Sequence, residues 1–225
     1  MQKCINLFLS VIKLPVALLM VVLMIPALKT DAVILYNGLT LTVLQWFFVP
    51  LLAVLCLWML IPGLGGSFLS IFEHEATHMV FALLTGHTPQ DINIKRGVGG
   101  NFIYRGQGNW LIYIAPYFFP TSAVLVIGAA GFYVWMGQTT PPAYLMILGI
   151  MTGYHLISTF DEIHPGQTDF AAAGYLFSLL FLPGANLLMY GLLMAYACYG
   201  FHGFSMFYDT LIEQSRWFIG LFFFS

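Results

Sequence analysis

The segment Phe72-Glu73-His74-Glu75-Ala76-Thr77-His78 places two imidazoles and two carboxylates within six residues of an otherwise apolar run. On a helix, His74 and His78 project from one face about a turn apart, so both rings can reach one metal ion. Glu75 points differently and reaches a metal-held water rather than the metal. Zn2+ in such a site lowers the pKa of bound water toward about 7, and a neighbouring carboxylate can take the proton. After attack on a carbonyl, the same carboxyl can protonate a leaving amine. His74 and His78 are therefore candidate zinc ligands, and Glu75 the candidate general base.

Two imidazoles do not complete a zinc site, which takes a third protein ligand. The candidates are His155, Asp161, Glu162, His164 and Asp169. Asp169 is favoured because it heads an apolar helix. Its competing role is a helix cap, shared with Thr168, and Asp161 or His164 stays open as the ligand. His74 sits about twelve residues, roughly 18 Å, from the end of its helix. Either residues 161–169 dip into the bundle or that helix is short and tilted. His87 and His202 read as surface histidines. His155 reads as a partner of a ligand side chain or as an interhelical hydrogen bond.

The surrounding chain sets the solvent. Of 225 residues, 60% are hydrophobic and 7% charged, with a mean hydropathy of +0.88, against about a quarter charged in soluble domains. Such a chain needs a lipid bilayer around it, where ionisable groups mark function. The net charge is −2 and no basic run appears, which argues against nucleic acid. Cys4, Cys56 and Cys198 are too scattered for a disulfide framework or metal motif.

These features predict an all-α polytopic membrane protein, a single domain over 1–225 with its chemical core at 67–190. About six transmembrane helices are expected. They are Leu7–Leu28, Leu39–Ile61, a motif helix starting near Ser67 or Ser70 and stopped by Gly86, Trp110–Trp135 kinked at Pro116 and Pro120, a helix from Pro141-Pro142 to Thr159, and Phe170–Tyr199 bent at Pro183-Gly184. Pro62 to Gly66 breaks the chain before the motif helix. The first run, preceded by Lys3, is long for a signal peptide and lacks a clean cleavage site, so it reads as a span. Residues 87–109 predict a β-hairpin turning at Arg96-Gly97-Val98-Gly99-Gly100. Residues 201–225 predict an interfacial or short membrane tail. Six crossings put the hairpin opposite the N-terminus and on the side of residues 160–169. Lys29, Lys95, Arg96 and Arg105 on that side, against Lys3 and Arg216 (with Lys13 if it snorkels) on the other, favour the hairpin side as cytoplasmic.

The motif, followed by Ala82-Leu83-Leu84-Thr85-Gly86 and a short β-rich segment, resembles the site-2 protease family of intramembrane zinc metalloproteases. The resemblance implies zinc on His74, His78 and Asp169, Glu75 as base, and cleavage of membrane-spanning segments of protein substrates. The family's Asn-x-x-Pro and Leu-Asp-Gly patterns are absent, and Gln167-Thr168-Asp169-Phe170 stands in the distal position. The hairpin can take an unwound substrate as an added strand, an idea that unimpaired cleavage after proline-blocking of its edge would sink. The alternatives are a membrane zinc hydrolase acting on a lipid or small amide, and a non-enzymatic membrane protein. Neither oligomeric state nor substrate identity is encoded in these features.

Overall fold

The computed structural model describes residues 2–61, 68–95, 99–164 and 166–223. Its helices are α1 (Gln2–Gly38), α2 (Leu41–Leu60), α3 (Phe68–Leu84), α4 (Trp110–Tyr117), α5 (Thr121–Trp135), α6 (Ala143–Glu162), α7 (Thr168–Ala173), α8 (Tyr175–Tyr199) and α9 (His202–Phe223). Strands β1 (Thr88–Lys95) and β2 (Gly99–Arg105) form one antiparallel hairpin, pairing Ile92 with Phe102 and Thr88 with Arg105. The tip expected at Arg96 to Gly100 lies partly outside the described residues, as do the break at Pro62 to Gly66 and the Ser67 cap. Ser70 is no cap. It is buried inside α3.

Among the described residues, four helices, α1, α2, α6 and α8, are long and apolar enough to cross a membrane. The α4–α5 pair, bent by 82°, makes a fifth if it counts as one broken span. The expected sixth span is not among these, and the motif helix α3 has 17 residues. Outward-facing Leu14, Leu18, Val22 and Ile25 on α1 are exposed, as a lipid-facing surface requires.

Contacts give the relative directions. The N-terminal end of α1 lies against the hairpin region. Asn6 donates to the Gln107 carbonyl at 2.7 Å, and the Trp110 indole donates to the Leu9 carbonyl at 2.7 Å. This departs from the six-crossing count, which separates the N-terminus from the hairpin. From there α1 and α8 run parallel, with Lys13 over the Phe177 ring at 5.0 Å and Gly38 packed on Cys198. Helices α2 and α6 also run parallel. A Cβ on Gly153 would stand 2.9 Å from the Leu51 carbonyl oxygen, and Gly149 packs as tightly on Phe47. Small residues four apart permit this close approach where no hydrophobic effect drives helix association.

Two boundaries differ from expectation. The first span, expected as Leu7–Leu28, runs from Gln2 to Gly38 with Pro15 and Pro26 inside it. The helix expected from Phe170 to Tyr199 is broken at Gly174, and Pro183 lies inside α8. Gly174 has φ +92°, a conformation costly for other residues, and it frees α7 to lie at an angle to α8. The tail is an amphipathic helix, α9. It buries Phe207 and sets the Lys29 ammonium over the Trp217 ring at 3.1 Å.

Candidate metal centre

Helix α3 carries the motif and ends as its sequence requires. Gly86 takes φ +76°, its N–H donates to the Leu83 carbonyl, and the His87 N–H donates to the Ala82 carbonyl at 2.8 Å. This is the Schellman termination. His74, Glu75 and His78 are all buried. His74 Nε2 and His78 Nε2 are 3.0 Å apart, and Asp169 Oδ2 lies 3.3 Å and 3.4 Å from them. Together they form a His-His-Asp group that could hold a metal ion. Tetrahedral zinc, with bonds of about 2.0–2.2 Å, separates its ligand atoms by about 3.3–3.5 Å. The two sides to Asp169 fit that spacing, and the 3.0 Å side between the imidazoles is shorter.

The outer nitrogens explain why the inner ones converge. His78 Nδ1 donates to the Ile112 carbonyl at 2.8 Å. In a regular helix that carbonyl would accept from residue 116, but Pro116 has no N–H, so the oxygen is left for the histidine. His74 Nδ1 pairs with the Glu162 carboxylate. Ser70, hydrogen-bonded to Ser158 at 2.7 Å, donates to the other Glu162 oxygen at 3.2 Å. With both Nδ1 atoms acting as donors, neutral rings present bare lone pairs at Nε2. Two such lone pairs and a carboxylate oxygen cannot share a buried space without positive charge. A metal ion held there would supply it. Without one, ring protons do. Burial alone would raise the Asp169 carboxyl, but hydrogen bonds from His74 and His78 outweigh it and hold the group below the usual carboxylate range. The buried Tyr117 hydroxyl also donates to Asp169 Oδ2, at 3.0 Å.

Helix α6 delivers Glu162 and Ser158 to the N-terminal half of α3, at Ser70 and His74, and not to the end at Thr85 that faces the hairpin. The connection to α7 is thus level with the motif. The 18 Å conflict does not arise in the fold, because α3 is short, with 17 residues, and Glu162 and Asp169 both reach His74. A cavity of about 670 Å³ opens over the centre, lined by His74, Glu75, His78 and Asp169, by Phe102 and Tyr104 of β2, and by His164.

The remaining candidates separate cleanly. Asp161 is exposed. His164 lines the cavity but lies outside the converging trio. Glu162, weighed as a ligand, sits on the far nitrogen of one. His155 is buried without contact to a ligand, its Nδ1 being 3.8 Å from Glu73. Glu73 in turn accepts from the Ser122 N–H and hydroxyl at 3.0 Å and 2.6 Å, tying α3 to the start of α5. His202 is exposed as expected, whereas His87 is not. His87 is buried, bonded to Thr85 at 3.0 Å and to the Gln107 carbonyl at 2.9 Å, because the Schellman turn folds it back under the hairpin. Tyr117 and the Ile112 carbonyl went unforeseen. Pro116 was the available signal for the latter.

Comparison with protein-family models, curated proteins and solved structures finds no match to this chain.

Proposed function

We propose that this chain is an intramembrane zinc metalloprotease of the site-2 protease type, cleaving peptide bonds within or near transmembrane segments of protein substrates. The observation that carries the reading is the convergence of His74 Nε2, His78 Nε2 and Asp169 Oδ2, with Glu75 in the same cavity. Two imidazoles, one carboxylate and room for water make a catalytic zinc set. Bound zinc would polarise that water and lower its pKa. Glu75 takes the proton as the water oxygen attacks the scissile carbonyl carbon. It returns the proton to the nitrogen as the C–N bond breaks. His74, His78 and Asp169 hold the ion, while Glu162 and the Ile112 carbonyl orient the rings. Strand β2 borders the cavity and belongs to a two-stranded sheet, which supports docking of an unwound substrate along it.

The membrane arrangement is read as multi-pass with five crossings, by α1, α2, the α4–α5 pair, α6 and α8. Helix α3 stays in the half that carries the hairpin. Lys3, Lys95 and Arg105 then share one side, which the positive-inside rule makes cytoplasmic.

Metal analysis of purified protein beside cleavage of model transmembrane peptides tests the function. Glu75→Gln is expected to keep zinc and lose activity. Asp169→Ala is expected to lose zinc. Full zinc and activity in Asp169→Ala would remove Asp169 from the ligand set, and an inactive zinc-loaded wild type would remove the peptidase.

A further inference from the structure

We propose that His164 is a further catalytic residue of this site, donating from Nε2–H to the carbonyl oxygen that becomes negative during attack. The inference rests on the peptidase reading above. His164 lines the cavity together with His74, Glu75, His78 and Asp169, yet it is not part of the converging trio. It is a histidine at the centre that does not bind at the centre.

Its tautomer is set by the backbone. The Gly166 N–H donates to His164 Nδ1 at 3.2 Å. A ring nitrogen that accepts carries no proton, so in the neutral imidazole the proton sits on Nε2. The ring lies close against Gly166, where an added Cβ would stand 3.2 Å from Nδ1 and 3.4 Å from Cε1. The residue also belongs to the short connection between Glu162, paired with His74, and Asp169, against both Nε2 atoms. Both ends of that connection are anchored on the centre, so the ring's place follows from the centre's own geometry. Unlike the ligand imidazoles, His164 is exposed, which leaves its Nε2–H accessible to a molecule entering the cavity.

The chemistry needs such a donor. When the water oxygen bonds to the carbonyl carbon, the C=O π pair moves onto the carbonyl oxygen and the water proton goes to Glu75. The new anion gains most from a preorganised N–H in a site of restricted water. His164 keeps its proton throughout. On collapse the pair re-forms C=O, the C–N bond breaks, and Glu75 protonates the nitrogen. Other donors stand at or beside the cavity, Gln167 and Thr168 among them. The Tyr104 and Tyr113 hydroxyls are bonded to each other. Tyr117 is committed to Asp169. Asn101 of β2 lines the cavity too and serves as the comparison.

The test uses zinc-loaded full-length protein in detergent, wild type beside His164→Ala, His164→Gln and Asn101→Ala. The probes are a phosphinic peptide, whose tetrahedral oxygens mimic the attacked carbonyl, and a hydroxamate peptide of the same sequence. His164→Ala is expected to keep zinc and hydroxamate affinity while losing about 10²-fold in phosphinate affinity and in kcat. His164→Gln, which still offers an N–H, is expected to recover part of both. Unchanged phosphinate binding in His164→Ala, loss of zinc, or the same deficit in Asn101→Ala instead would overturn the assignment. Wild-type protein that binds neither probe would sink the peptidase reading, and this inference with it.

Discussion

Glu162 shows how one side chain can be misread from spacing alone. In sequence it is one more acidic group in a polar stretch, and so a candidate ligand. In the fold it occupies His74 Nδ1, with Ser70 holding its other oxygen. A carboxylate there fixes the tautomer, orients the ring and raises ligand basicity. Glu162→Gln is expected to weaken zinc affinity by about 10–100-fold, measurable by competition with a chromophoric chelator. Wild-type affinity in that variant would mean that the contact does not orient the ligand. His74, Glu75 and His78 were legible because all three lie on one helix, where spacing is geometry. Asp169 was legible as the favoured one of five candidates, with Asp161 and His164 left open, because nothing local distinguishes a ligand from a helix cap. The burial of His87 was not legible, since it depends on a hairpin folding back over a helix end.

At the scale of elements, the site is built from interruptions. Pro116 releases a carbonyl from α4, Gly174 turns α7 away from α8, and Gly100 lets β2 cross close above α3. A Cβ on Gly100 would stand 2.5 Å from Glu75 Oε1 and 2.6 Å from its Cγ. Gly100→Ala must therefore displace either the strand or the candidate base. Activity is expected to fall at least tenfold while zinc content stays, because His74 and His78 lie elsewhere on α3 and Asp169 lies on α7. Metal analysis and peptide cleavage on the same preparation check this, and wild-type turnover would show that strand and base are not in fixed contact. The prolines and the hairpin were visible in the sequence as kinks and turn signals. What each break would do for the site was not, because a kink's consequence depends on which neighbour meets the exposed group.

At the scale of the whole molecule, the contacts of α1 decide the sidedness. Asn6 and Leu9 meet Gln107 and Trp110, so the N-terminus shares a side with the hairpin. The α5–α6 connection is at the opposite end, where Gly131 packs on Phe201. With Cys56 and Cys198 replaced by Ser, native Cys4 and a Gln107→Cys variant are expected to react with an impermeant maleimide from one face of the membrane. Gln138→Cys, in the α5–α6 connection, should react from the other. Six full crossings would instead place Cys4 with Gln138. Counting apolar runs gives six because α3 is apolar enough to resemble a span, although its 17 residues stand at the short end of spanning lengths.

By itself, the sequence determined the apolar character that points to a bilayer, the helical architecture, the hairpin, and the candidate roles of His74, Glu75 and His78. Composition and periodicity act locally, and a helix turns a spacing of four into a shared face. Only the tertiary structure decided the rest. It chose Asp169 from five candidates, moved Glu162 to the outer nitrogen of His74, left His164 in the cavity wall, and brought the N-terminus beside the hairpin. Each of these depends on where separate helices cross. Crossing is set by close approach at small residues and by buried polar groups finding partners, and neither is written in the spacing along one chain.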